Sequence, residues 1–205
     1  MNKMIKYQVP SCWLGKGILK DKNFSYIIFL NLLKDSRKSR KEPHRYKYNV
    51  YERAIQIETG LSINTVKKKL KYMIDKGFIS INEDGVANIN RFDKGEYVLI
   101  TEEELNLLSN LGSKSEYSIR MYIYLKALYF TNLNEDREIY PSLDTIATRI
   151  GLSINNRDKI KKISDVLKAS GLIVRNKKWI FDKKYKKYVL RINYFLPISE
   201  RNFNL

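Results

Sequence analysis

Apolar residues return at helical spacing twice along the chain, in closely similar settings. The runs Val50-Tyr51-Glu52-Arg53-Ala54-Ile55-Gln56-Ile57-Glu58-Thr59 and Leu143-Asp144-Thr145-Ile146-Ala147-Thr148-Arg149-Ile150 each place apolar side chains on one helical face and stop at a glycine, Gly60 or Gly151. Each predicts a short helix and a tight turn. Ser62 and Ser153 then stand where a hydroxyl can accept from the unpaired amides of a second helix. In the first of these second helices Val66, Leu70, Met73 and Ile74 make an apolar stripe, leaving Asn64, Thr65, Lys67, Lys68 and Lys71 opposite. In the other, Ile160, Ile163, Val166 and Leu167 make the stripe and leave Asn155, Asn156, Arg157, Lys159, Lys161 and Lys162 outside. Both end on a glycine followed by a β-prone run, at Gly77-Phe78-Ile79 and Gly171-Leu172-Ile173.

A hairpin is expected after each. The first turns near Glu83-Asp84-Gly85 and adds a strand at Tyr97 to Ile100 after a turn at Lys94-Gly95; the second runs from Leu172 to Phe181 and returns from Tyr185 to Tyr194. An opening helix precedes each unit, Phe24 to Leu33 and Tyr117 to Phe130. The string Gly60-Leu61-Ser62-Ile63-Asn64 recurs unchanged as Gly151-Leu152-Ser153-Ile154-Asn155, at a spacing too long for a solenoid, which points to a duplicated domain. The fold class expected is α+β, mainly helical, with two helix-turn-helix units in tandem, each carrying a hairpin wing. The first domain spans 1–111 and includes an acidic linker helix at about 101–111; the second spans 112–205.

Composition sharpens this picture. With 43% hydrophobic and 12% aromatic residues the chain has the makeup of a folded protein. Its 39 Lys and Arg against 22 Asp and Glu give a formal charge of +17, which favours a polyanionic partner. An A/T-rich coding sequence would also raise Lys and Asn, but without clustering them. Here they cluster: between Arg175 and Arg191 stand Lys177, Lys178, Lys183, Lys184, Lys186 and Lys187, with Asp182 the only acid. A second basic run, Lys34, Arg37, Lys38, Arg40, Lys41, Arg45 and Lys47, falls in the expected loop between the first two helices. Cys12 and His44, each the only one of its kind, provide neither a disulfide nor a four-ligand zinc site. The opening residues lack the apolar core of a signal peptide, and no segment has the roughly 20 apolar residues of a membrane span. A cytoplasmic protein with no membrane association is expected.

On a helix lying in the major groove, Asn and Thr contact base edges while Lys and Arg contact phosphates or guanine. The expected DNA contacts are therefore Asn64, Thr65, Lys67, Lys68, Lys71, Asn155, Asn156, Arg157, Lys159, Lys161 and Lys162. The wing cations Lys177, Lys178, Lys183, Lys184, Lys186 and Lys187 are expected to contact phosphates and to make binding salt-dependent. The competing reading is a solvated helix face, and it weighs more on the second helix, where three extra residues lengthen the turn. Trp179 is expected to pack against its domain. No enzyme is expected and no cofactor: Gly15-Lys16-Gly17 and Gly112-Ser113-Lys114-Ser115 fall short of a phosphate-binding loop, a single histidine excludes two-histidine nuclease chemistry, and no paired carboxylates suggest a two-metal site.

The run Tyr140-Pro141-Ser142-Leu143-Asp144-Thr145-Ile146-Ala147 leading into Gly151-Leu152-Ser153 resembles the start of many bacterial winged-helix domains. With Tyr7-Gln8-Val9-Pro10 before the first helix, the arrangement is similar to replication initiators and replisome organisers of plasmids and phages of Gram-positive bacteria. That resemblance implies origin binding by two winged helices and recruitment of host replication proteins; Asn64 to Lys71 and Asn155 to Lys162 correspond to the recognition helices, and Arg175 to Arg191 to a wing. The long leucine-rich dimerisation helix of iteron-binding initiators has no counterpart here, nor has a C-terminal helicase-recruiting domain. A transcriptional regulator of mobile-element genes, an accessory factor in conjugation or partition, and a protein-binding adaptor stand as alternatives, with a homodimer possible in each.

Overall fold

Ser142 shows how local chemistry sets an element boundary: its side chain accepts from the Thr145 amide and starts a helix that runs Leu143–Ile150 and stops at Gly151, whose φ of 81° lies in the left-handed region. In the computed structural model, residues 6–11, 17–35, 37–38, 46–49, 52–83, 86–90, 92, 97–112, 114–131, 139–182 and 185–198 are described. They form an α+β fold in which helices outweigh strands. In chain order come β1 (Lys6–Pro10), a 3-10 turn (Ile18–Lys20), α1 (Tyr26–Asp35), β2 (Arg37–Lys38), β3 (Tyr46–Asn49), α2 (Glu52–Thr59), α3 (Ile63–Asp75), β4 (Ile79–Ile81), β5 (Val86–Ile89) and β6 (Tyr97–Thr101). There follow α4 (Glu102–Ser109), α5 (Glu116–Thr131), α6 (Leu143–Ile150), α7 (Arg157–Ala169), β7 (Val174–Asp182) and β8 (Lys187–Phe195).

The strands form small antiparallel sheets, ordered β1-β6, β2-β3-β5-β4 and β7-β8. Two sequence expectations change here. The segment Tyr97–Thr101 does not extend the first hairpin but pairs with β1, Tyr7 opposite Ile100 and Val9 opposite Val98, because its buried positions Val98 and Ile100 meet those of β1. The stretch expected as a loop between α1 and α2 contains β2 and β3, and β3 lies beside β5. In the second half the matching position is taken by a single bridge, Ile139 to Tyr194 on β8. The order helix, short strand or bridge, helix, turn, helix, hairpin thus occurs twice.

The two halves share one apolar core. α5 lies at its centre, buried from Ser118 through Ala127, and reaches across residue 112 into the first half. Glu116 in its first turn accepts from the Tyr26 and Ile27 amides at 3.1 and 3.3 Å, so a side chain 90 residues away in sequence satisfies the open end of α1. Arg120, one turn on and 3% exposed, donates to the carbonyls of Leu19, Asp21 and Phe24 at 2.6, 2.8 and 3.0 Å. At α4 the sequence Thr101-Glu102-Glu103-Glu104 forms a capping box, and the same Glu104 carboxylate also takes hydrogen bonds from Tyr122 and Lys126 of α5 in the core. Burial alone would raise the Glu104 pKa, but Lys126 and the hydrogen bonds bring it below the ordinary carboxylate range. Among the described residues no helix is long and apolar enough to cross a membrane.

Candidate nucleic-acid interface

α3 displays the sequence-derived face plainly. Ser62 caps it by accepting from the Thr65 amide, and its inward stripe is Val66, Leu70 and Met73. Ile74, expected in that stripe, is instead exposed, because it lies at the edge of the arc the core can cover. A second edge is fastened to the segment before α1: Tyr72 donates to Asp21, and Lys69 donates to the Lys22 carbonyl. Burial and the bond to Asp21 push the Tyr72 hydroxyl up to about 12, so it remains a neutral donor. The third edge carries Asn64, Lys67, Lys68 and Lys71, all exposed. Lys67 stands 3.5 Å from Glu52 at the start of α2. Thr65 is half-buried, its hydroxyl 2.8 Å from that of Ser62, so it serves the cap as well as any ligand.

The second unit differs from expectation. Ser153 does not cap α7; of the three extra residues, Asn156-Arg157-Asp158, only Asn156 falls ahead of the helix, closing a turn in which its amide donates to the Ser153 carbonyl at 3.0 Å. α7 begins at Arg157, with Asn156 as a cap residue that makes no side-chain capping bond. Asn155 is therefore an exposed turn residue and Asn156 a half-buried one, neither being within the helix. Val166 of the expected stripe is exposed, and Ser164 takes the inward place beside Ile160, Ile163 and Leu167.

Intramolecular partners also engage most of the α7 cations. Arg157 holds Asp144 of α6 through two hydrogen bonds, Lys161 pairs with Asp158 at 3.0 Å, and Lys159 lies 4.5 Å from the centre of the Tyr117 ring of α5. Lys162 stands exposed on the outer side.

The β7-β8 hairpin keeps full register from Val174 opposite Phe195 to Asp182 opposite Lys187. Arg175 is tied down at its base, to Asp165 at 2.8 Å and to the Ser164 hydroxyl at 3.1 Å. Lys177, Lys178, Lys186 and Lys187 are exposed, while Lys183 and Lys184 lie outside the described residues, as do Arg40, Lys41 and Arg45 of the other basic run. Trp179 does not pack against the domain: it is 65% exposed, because the hairpin extends beyond any helix that could cover it. Period-two alternation puts Trp179 and Phe181 on the same side as their partners Leu190 and Tyr188. All four are exposed, and Phe181 meets Tyr188 edge-on with ring centres 5.4 Å apart. The sequence signal for this face was the pairing of two apolar alternations, Trp179 and Phe181 with Tyr188 and Leu190, across one hairpin.

The first hairpin has exposed Asn82 and Glu83 at its described end and shows no such cation cluster; Asp84 and Gly85 of its expected turn lie outside the described residues. Among the described residues no group of three or more His, Cys, Asp or Glu is placed to hold a metal ion. No protein-family model matches the chain, and no curated protein matches it.

Proposed function

We propose that the protein is a tandem winged-helix, sequence-specific double-stranded DNA-binding protein that acts without catalysis. The observation that carries this reading is the doubled element order, in which a short helix and a tight turn lead into a helix with an exposed polar face and then a hairpin. In this reading Asn64, Lys68 and Lys71 on α3 read one major-groove segment, and Asn155 and Lys162 beside and on α7 read a second. Lys177, Lys178, Lys186 and Lys187 neutralise phosphates. The net charge of +17 supports attraction to a polyanion.

The heads are unequal. α3 presents its polar edge at the first helical turn, whereas the α7 head starts with a turn and charge-paired side chains. Two unlike heads in one chain suit a long asymmetric site of about 20 base pairs, such as a replication origin of a plasmid or phage, where host replication proteins would then be recruited. Transcriptional control of mobile-element genes is the second reading, separated from the first by whether the target lies at an origin or a promoter.

Selection of bound duplexes from a random pool at moderate salt tests this. Two unlike half-motifs are expected, one lost with Asn64→Ala/Lys68→Ala and the other with Asn155→Ala/Lys162→Ala. Binding without any enriched motif overturns sequence-specific recognition.

A further inference from the structure

We propose that the aromatic face of the β7-β8 hairpin is a stacking platform for unpaired nucleic-acid bases, specifically single-stranded DNA. This rests on the nucleic-acid reading above but assigns a different ligand form to the aromatic side chains of a hairpin whose lysines both ligands would share. The side chains concerned are Trp179 and Phe181 on β7 and Leu190 and Tyr188 on β8, exposed by 65, 49, 47 and 68% respectively and arranged as the adjacent cross-strand pairs Trp179–Leu190 and Phe181–Tyr188.

Large aromatic side chains left in water on a two-stranded ribbon add nothing to the core, and a contiguous exposed group of them on one face marks a surface for a ligand. Charge selects which. Lys177 lies on the same face, two residues before Trp179, and the exposed Lys186 stands in the turn two residues before Tyr188. A second copy of this hairpin would bring like charges together, and an apolar protein segment would leave the lysines unused. A single strand of DNA satisfies both: its bases cover the rings and its phosphates meet the ammonium groups.

Spacing agrees with this choice. Same-face residues on a strand stand about 7 Å apart, twice the rise of about 3.4 Å between nucleotides in a duplex strand. The rings therefore fit a strand whose bases are spread and each stacked on protein. A duplex, with its bases enclosed, offers them no flat surface. The hairpin face opposite is of another kind, with Arg191 paired to Asp182 at 3.1 Å across the half-buried Ile180 and Val189, whose rung lies between theirs. That asymmetry places the stacking surface on the Trp179 side alone.

The test uses the full-length protein with a labelled oligo-dT of about twelve nucleotides, and in parallel a mixed-sequence duplex, following anisotropy and tryptophan fluorescence. Wild type is expected to bind oligo-dT with quenching that disappears in Trp179→Ala. Trp179→Ala/Tyr188→Ala should weaken oligo-dT binding at least tenfold, given about 1–3 kcal/mol per stacked base, and change duplex affinity less than about threefold. Trp179→Phe should retain most of the single-strand affinity, as a stacking role requires. All four side chains are exposed, so the variants are expected to keep the wild-type unfolding transition.

Equal oligo-dT affinity in wild type and the double variant overturns the proposal, as does absence of oligo-dT binding while the duplex still binds. Self-association in sedimentation that Trp179→Ala/Tyr188→Ala abolishes, with oligo-dT affinity unaffected, also overturns it and makes the face a dimer contact. Loss of duplex binding in the wild type would overturn the duplex reading instead, and patch-dependent oligo-dT binding in that case would still support the platform.

Discussion

Arg157 and Asp144 face each other through a two-pronged contact, Nε to Oδ1 at 2.8 Å and Nη2 to Oδ2 at 2.7 Å, that joins the first turn of α7 to the first turn of α6. The hydrogen bonds from Arg157 hold the Asp144 carboxyl below its ordinary pKa. The sequence marks Arg157 as a DNA contact, yet in the free protein its guanidinium is occupied, so any phosphate must compete with Asp144. Asp144→Asn is therefore expected to raise duplex affinity about threefold by releasing one phosphate contact, and Arg157→Ala in that background to cancel the gain. Arg157→Ala alone should change affinity little. Fluorescence anisotropy on all four members of the cycle checks this; additive effects would mean that Asp144 acts only through its own charge.

The Glu104–Lys126 pair predicts a pH-dependent stability difference. In the wild type the folded pKa of Glu104 lies below its ordinary value, so its contribution is present above the unfolded pKa of about 4.3 and is lost as pH falls through the folded value. Lys126→Met leaves a carboxylate buried without its cation, which raises the folded pKa above the unfolded one; that stability is present at acid pH and is lost as pH rises. The gap between wild type and variant should thus be smallest near pH 3 and widen to about 3–5 kcal/mol at neutral pH. Urea unfolding across that range measures it, and a gap independent of pH contradicts the assignment.

Arg120 joins the halves by geometry that lysine cannot copy. Its planar fork serves three carbonyls of the segment before α1 while its Nε donates to Glu116 at 3.0 Å. Arg120→Lys keeps the charge but leaves at least one buried carbonyl unpaired, and is expected to cost roughly 1–3 kcal/mol. Arg120→Ala should cost more. Thermal unfolding should show both halves affected together, as a shared core requires; a separate early transition confined to one half would contradict that.

Two glycines at equivalent helix-end conformations should respond differently to alanine. Gly171 has φ 76° and open space around an added Cβ, so Gly171→Ala carries the backbone penalty alone, about 1 kcal/mol. Gly151 has φ 81°, and an added Cβ would lie 3.0 Å from the Lys20 carbonyl oxygen and 3.1 Å from its Cα, on the 3-10 turn of the other half. Gly151→Ala should lower the melting temperature by clearly more than Gly171→Ala, and equal losses would mean that the two halves yield at this contact without cost.

Much of this architecture is legible in the chain because it is written locally. Period, caps and glycine stops locate α1 to α6 within about two residues of where they stand, whereas α7 begins three residues later than a cap at Ser153 would place it. What is not legible depends on partners distant in sequence. The pentapeptide at Gly60 and Gly151 is identical, yet Ile63 is half-buried on α3 while Ile154 is 56% exposed, because residues beyond the repeat decide where the helix begins. The pairing of β6 with β1, the capping of α1 by Glu116 and the neutralisation of Glu104 by Lys126 each needed the tertiary arrangement. At the candidate interface the sequence identifies cations but not which of them are already paired, and it treats Trp179 as core because exposure follows from how far the hairpin extends past its helices.

The measurement that tests the central claim most directly is the salt dependence of duplex binding by wild type and by Lys177→Ala/Lys178→Ala/Lys186→Ala/Lys187→Ala. Each phosphate contact contributes about 0.9 to the slope of log affinity against log salt. The wild type is expected to show a steep negative slope, and the quadruple variant a slope shallower by about 3.6 units with the selected half-motifs unchanged. A wild type that fails to bind duplex at low salt, or a variant whose slope equals the wild type's, would contradict the account.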